Sequence, residues 1–175
     1  MWKTLRQIRR GGIPTEPPPS VDDTLRVADA LKTQILQVLG RALCIRAIDA
    51  GSCNGCELEM HALSNPLYNL EALGIRFVAS PRHADLLLVT GPVSRNMEVA
   101  LRRTYDATPD PKLVVAIGDC GCTGGIFGEG YATCGRVSNV IPVDVEVPGC
   151  PPSPRQILAG ILTAISPALA ARGTS

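Results

Sequence analysis

Two uninterrupted apolar runs constrain this chain more than anything else in it. DLLLVT at 85–90 and LVVAI at 113–117 lack polar alternation, and each has the length of one strand. A strand with one wet face alternates; a strand without alternation is buried on both faces, the signature of a parallel sheet covered by helices on each side. The intervening segments agree with this. Leu43–Ile48 and Ile75–Ala79 read as shorter strands, and Val140–Val147 as one or two more. Leu25, Ala28, Leu31, Ile35, Val38 and Leu39 recur at helical spacing between Val21 and Gly40. Glu57–Leu63 reads as a short helix closed by Asn65-Pro66, and Arg95–Tyr105 as a helix with Met97, Ala100 and Leu101 inward and Pro109 and Pro111 beyond it. Ser153 caps a last helix, Pro154–Ile165, while the Gly-rich stretch up to Arg136 reads as loop. Strands alternating with helices predict a single doubly wound α/β domain. That domain is expected over residues 21–170, after a basic, proline-rich extension at 1–20 and before a tail at 171–175.

Composition narrows the function. Seventeen Lys+Arg against 16 Asp+Glu leave a formal charge of +1, so no basic excess is present to neutralise nucleic-acid phosphates. Aromatic residues are only 3%, too few for base-stacking platforms. The most apolar stretches, 84–93 and 157–171, are respectively too short to cross a bilayer and interrupted by Thr163, Ser166 and Pro167. The basic N-terminus is followed by Gly11-Gly12 and prolines instead of an apolar secretory core, so a cytoplasmic chain is expected, with Trp2 and its basic neighbours either a solvated tail or a strap on a partner or anionic surface.

Seven cysteines, an odd number in a chain read as cytoplasmic, argue for metal ligation or thiol chemistry over a disulfide framework. Three predicted strands end alike: Leu43–Ile48 runs into Gly51-Ser52-Cys53, Leu113–Ile117 into Gly118-Asp119-Cys120, and Val143–Val147 into Pro148-Gly149-Cys150. Parallel strands put all their carboxyl ends on one edge, where open α/β sheets bind ligands. Cysteines distant in sequence can therefore converge there. The set Cys53, Cys56, Cys120 and Cys150 suits a 4Fe-4S cluster. Tetrahedral zinc and a thioredoxin-like Cys53–Cys56 pair are the alternatives, although the thiol pair leaves Cys120 and Cys150 without a task. Gly51, Ser52, Gly118 and Gly149 are candidate N–H donors beside the sulfurs. Glu57 and Asp119, each adjacent to a ligand, are candidates for proton transfer or tuning, or else helix N-terminal acids favoured by the dipole. Arg82 is a candidate to offset cluster charge and His83 to titrate with redox state; a solvated surface loop is the plainer account, above all for His83. Cys44 reads as a buried apolar residue, Cys122 as a substitute ligand for Cys120, and Cys134 as unassigned or paired with Cys122.

These motifs carry a family resemblance. GSCNGCELE (51–59), RFVASPRHADLLLVTGPVSRNM (76–97), the GDC of 118–120 with its Gly-rich continuation, and IPVDVEVPGCPPSP (141–154) resemble the small electron-transfer subunit shared by membrane-bound nickel–iron hydrogenases, formate hydrogenlyase and NADH-quinone oxidoreductase (respiratory complex I). The resemblance implies a flavodoxin-like fold, one 4Fe-4S cluster on Cys53, Cys56, Cys120 and Cys150, and an oxidoreductase subunit that relays electrons without breaking bonds itself. It also implies docking to a large catalytic subunit, a ferredoxin-like iron–sulfur subunit and membrane-embedded subunits on the cytoplasmic face of the inner membrane. Asn54 and Gly55 separate the first two cysteines, as in the hydrogenase branch; the complex I branch usually has them adjacent. A cysteine-rich C-terminal extension like that of uptake hydrogenases is not seen, which points to the compact membrane-bound type. A complex I-like quinone oxidoreductase subunit and a zinc-stapled scaffold without redox activity are the competing expectations.

Overall fold

The computed structural model describes residues 40–172, with side chains through Ser166, together with Thr33 and Ile35. The expectations for the N-terminal extension, the 173–175 end of the tail and most of the 21–40 helix lie outside these residues; Thr33 and Ile35 are helical, and Ile35 is buried.

Five strands form one sheet: β1 (Leu43–Asp49), β2 (Ile75–Phe77), β3 (Leu86–Thr90), β4 (Leu113–Ile117) and β5 (Val145–Val147). All pairings are parallel and the order is β2-β1-β3-β4-β5. This is the flavodoxin-like doubly wound arrangement, in which the chain reverses direction between β1 and β3 and leaves a crevice at their carboxyl ends. Among the described residues from Gly40 onward, α1 (Gly55–Ala62), α2 (Arg95–Ala107) and α3 (Gly118–Thr123) lie between strands and α4 (Pro154–Arg172) follows β5.

Burial follows from the strands' two-sided sequences. All five residues of β3 are buried, with Leu86 and Leu88 in one core and Leu87 and Val89 in the other. β4 divides in the same way, Val115 and Ile117 against Val114 and Ala116. The first core is closed by Met60 of α1 and by Ile157, Leu158, Ile161 and Ile165 of α4; the second by Leu101 of α2 with Val137, Val140 and Ile141. Each fully buried aliphatic side chain stabilises the fold by about 1.5–3 kcal/mol. At the amino edge, Asp85 accepts from Cys44 N–H at 3.0 Å and from both guanidinium nitrogens of Arg41 at 3.1 and 2.6 Å, tying β3's start to β1.

Several boundaries differ from expectation. Residues 118–123 form a helix where the glycines predict loop, because Asp119 N–H donates to Gly149 O at 2.9 Å and Thr123 Oγ1 to Asp119 O at 2.8 Å. β5 is only three residues long, and a 3₁₀ turn occupies Val137–Asn139. α1 starts at Gly55 instead of Glu57, and α4 runs through Pro167 to Arg172, carried by the helix-favouring Ala168-Leu169-Ala170. Among the described residues, no helix is long and apolar enough to cross a membrane.

Candidate functional site

The register aligns Asp49, Thr90, Ile117 and Val147 in one row across the carboxyl edge of β1, β3, β4 and β5. Cys53 lies four residues beyond its member of that row, and Cys120 and Cys150 three residues beyond theirs. Cys56 follows on the first turn of α1.

The loops lean toward one another. A Cβ placed on Gly118, whose φ is +84°, would stand 2.6 Å from Cys56 Sγ and 3.4 Å from Gly149 O. The β1 loop's sulfur thus occupies the space that the β4 loop leaves by having no side chain, with the β5 loop alongside. On the other side, the Cβ position of Gly55 is 3.5 Å from Cys53 Sγ and 3.9 Å from Pro151 Cβ, bringing the first and last cysteine loops together. Cys53 and Cys150 are exposed, and Cys56 and Cys120 are half-buried.

Electrostatics report the same convergence. Cys56 is pushed up from an ordinary 9.0 to about 12, first by burial, then by Glu57 and by the charges Cys53, Cys120 and Cys150 would carry. Cys120 is raised by burial, then by Cys150, Cys53 and Asp119. Cys56 and Cys120 therefore each feel other members of the set. Among the described residues, no three His, Cys, Asp or Glu side chains close on a radius that would grip a single metal ion. Four thiols brought to one edge from three strand ends are a donor set whose chemistry fits an iron–sulfur group.

Asp119 has a clear structural task. Gly149 N–H donates to its Oδ1 at 2.8 Å while its own N–H donates to Gly149 O at 2.9 Å, a reciprocal tie between the Cys120 and Cys150 loops. Gly51 and Ser52 donate their N–H groups to Asp49 Oδ1, both at 2.8 Å. The expectation that Gly51, Ser52 and Gly149 hold N–H groups free for the sulfurs is thus revised: carboxylates take them, and these residues build the turns. Gly118 serves by yielding space.

Glu57 points into the β1/β3 crevice, where its Oε1 accepts from Thr90 Oγ1 at the end of β3. Its Oε2 is buried and has no partner among the described residues. Glu57 borders a cavity of 430 Å³ whose lining includes Arg46, Asp49, Met60, His61 and Phe77. Sequence patterning singles out none of these five, because they meet only when α1 crosses the end of β1. Arg82 and His83 are exposed in the 3₁₀ turn Pro81–His83, which leads into the amino end of β3, and neither has a hydrogen bond or ion pair to a cysteine.

The other three cysteines stand apart from the edge. Arg76 Nε donates to Cys44 Sγ at 3.3 Å near the start of β1. Cys122 is buried and donates to Ala116 O at 3.7 Å, so it faces the second core and is not positioned to substitute for Cys120. Cys134 donates to Glu98 Oε2 at 3.2 Å. Cys122 and Cys134 are both free thiols with separate partners.

Among known proteins, the chain is 42% identical over 154 residues to formate hydrogenlyase subunit 7 of Escherichia coli, a match covering 88% of this chain and 58% of that one. It is 46% identical over 132 residues to a probable membrane-bound hydrogenase subunit of Pyrococcus furiosus, covering 75% and 79% of the two chains. A subunit of the NADH-quinone oxidoreductase of Desulfovibrio desulfuricans is 46% identical over 107 residues, 61% of this chain and 58% of that one. The chain thus spans less than two thirds of the length of the first and third of these relatives. Among solved structures, a chain of the membrane-bound sulfane sulfur reductase, an archaeal respiratory membrane complex, superposes with a TM-score of 0.66 at 34% identity, covering 79% and 76% of the two chains. From the first cysteine loop to the last helix, residues 53–164, the match is to one family, and the chain belongs to it: that of the NADH ubiquinone oxidoreductase 20 Kd subunit.

Proposed function

We propose that this chain is the electron-transfer subunit of a membrane-associated hydrogenase complex, and that Cys53, Cys56, Cys120 and Cys150 hold one 4Fe-4S cluster. The observation that carries the reading is the mutual convergence of these four thiols, from three different strand ends, on one rim of the sheet. Family membership supports a subunit of a membrane-bound oxidoreductase. The hydrogenase-type relatives match over 154 and 132 residues against 107 for the quinone oxidoreductase relative, which favours the hydrogenase type.

When bound, the cluster supplies a one-electron relay whose potential responds to nearby charge, hydrogen bonds and burial. The protein's own residues prepare the site. Asp119 fixes two of the ligand loops against each other, Gly118 admits the Cys56 sulfur, and the half-buried positions of Cys56 and Cys120 limit water on the inner side. The exposed Cys53 and Cys150 leave the outer side open to a large catalytic subunit on the cytoplasmic face of the membrane, with a ferredoxin-like subunit and membrane-embedded subunits completing the complex.

Iron and acid-labile sulfide analysis, with paramagnetic resonance after reduction, tests this reading. Cys150→Ala is expected to abolish the signal and Cys134→Ala to spare it. Colourless zinc protein, or loss of the signal on Cys134→Ala, would refute it. A nickel-containing large partner on co-purification supports the hydrogenase type; a nickel-free, quinone-binding partner would move the chain to the complex I-like alternative.

A further inference from the structure

Gly125 lies five residues beyond Cys120, yet its place is set by that cysteine. It follows α3 in a left-handed conformation, φ +55°, and a Cβ built on it would stand 2.8 Å from Cys120 Sγ and 3.2 Å from Cys120 Cα. The first of these is closer than real Cβ contacts come. The loop has little freedom to retreat. Gly124 N–H donates to Cys120 O at 3.0 Å, and Gly128 N–H to Gly124 O at 3.1 Å. Gly125 N–H donates to Thr123 Oγ1 at 3.2 Å, and Thr123 Oγ1 in turn to Asp119 O at 2.8 Å. The loop is therefore laced to the same short helix that carries the thiol.

We propose that Gly125 is a positioning residue for Cys120: its bare Cα is the floor on which the sulfur rests, and it fixes the direction from which Cys120 presents that sulfur at the sheet edge. The proposal rests on the reading of Cys120 as a cluster ligand; the contact between Gly125 and the sulfur stands independently of it. A side chain at 125 displaces the sulfur, because the Asp119–Thr123–Gly125 bonds hold the backbone in place. Gly128 supplies an internal control. Its φ is also +55°, and nothing lies within 4 Å of its Cβ position. Gly128→Ala thus carries the left-handed backbone strain alone, whereas Gly125→Ala adds the collision with Cys120.

The test uses the full chain, within its complex and alone. In the complex, Gly125→Ala is expected to weaken cluster retention on the order of 10-fold and to change the shape of the paramagnetic signal, while Gly128→Ala follows the wild type. In the cluster-free chain, alkylation of Cys120 read by peptide mass spectrometry is expected to change rate in Gly125→Ala and not in Gly128→Ala. If Gly125→Ala fails to fold, the same substitution in a Cys120→Ala background decides, since removing the sulfur is expected to restore folding to the level of Cys120→Ala/Gly128→Ala. Identical Cys120 alkylation in the two glycine variants, or no rescue by Cys120→Ala, overturns the proposal. A wild-type chain without iron or sulfide whose Cys120 alkylation still responds to Gly125→Ala alone would sink the proposed function and leave the positioning role standing.

Discussion

Removing the Asp119 carboxylate is the sharpest perturbation of the site that leaves all four thiols in place. The backbone half of its tie to Gly149 survives in Asp119→Ala, since Asp119 N–H still reaches Gly149 O. The half that is lost is the 2.8 Å bond from Gly149 N–H to Oδ1, which is partly buried. A hydrogen bond to a charged group contributes about 1.5–3 kcal/mol, and partial exposure places this one near the lower end. Asp119→Ala is therefore expected to cost about 1.5–2 kcal/mol, a fall in Tm of roughly 3–8 °C for a domain of this size. Asp119→Asn keeps an acceptor oxygen at the same place without the charge and should recover about 0.5–1.5 kcal/mol of that loss. The assay is urea unfolding of the cluster-free chain beside iron retention in the complex. Stability and retention should fall together in the alanine variant and recover together in the asparagine variant. Alanine and wild-type curves that coincide would refute the tie. An asparagine variant as damaged as alanine in electron transfer, but fully stable, would show that Asp119 acts through its charge or proton instead.

Two further outcomes follow from burial. Because Cys56 is pushed up from 9.0 to about 12, chiefly by burial and then by Glu57, the folded chain holds this proton more tightly than the unfolded chain between those values. The contribution of this thiol to the stability of the cluster-free chain is therefore expected to be fully present below pH 9 and to be lost progressively toward pH 12. Cys56→Ala should flatten that decline only in part, as burial raises Cys122 to about 11 with the same sign; denaturation midpoints that do not move over this range contradict the assignment. Leu88→Ala, at a position with no exposed surface in the centre of the sheet, should cost about 2–5 kcal/mol in unfolding free energy, and a loss below 1 kcal/mol would mean that the first core is not packed as described.

The strands are readable because their physics is local. Leu86–Val89 and Val114–Ile117 are apolar at every position, and only a strand covered on both faces requires that. The cysteines proposed as ligands are readable for a related reason: in a parallel sheet a strand's end is also its place at the rim, so Cys53, Cys120 and Cys150 can be assigned to one edge from strand ends alone. What escapes the sequence depends on which strands are neighbours. α3 is built from Gly118, Asp119 and Gly121, poor helix formers, and stands because its first turn bonds to the loop after β5, a contact that exists only once β4 and β5 are adjacent. The same adjacency gives Asp119, a candidate tuning acid, a structural tie as well. The N–H groups of Gly51 and Ser52 look free in the sequence because the Asp49 carboxylate that takes them lies in the preceding strand. Pro167 misleads in the opposite direction: a proline read as an interruption is carried inside a helix whose earlier turns are already anchored by Ile157, Ile161 and Ile165.

The strand order also sets how far apart the cysteine loops begin. β1 and β4, which lead to Cys53 and Cys120, are not neighbours, since β3 runs between them and contributes no cysteine. At about 4.8 Å per strand, their ends stand roughly 10 Å apart, and the end of β5 lies about 14 Å from that of β1. Loops of three or four residues cannot erase such a span completely, but they can lean across it if the middle strand gives way. β3 does so. Its loop leaves through Gly91-Pro92 toward α2 on the opposite face from α1, and a Cβ on Gly91 would lie 2.6 Å from Ser52 N, so the Cys53 loop passes directly over the space that β3 vacates. Thr90, the last residue of β3, stays beneath as an anchor for Glu57. On the proposed reading, this approach of the loops is what lets one group several atoms across reach all of them. The reversal of strand order between β1 and β3 opens the crevice, and the thiols that follow β1, β4 and β5 stand along its rim while β3 turns away beneath them.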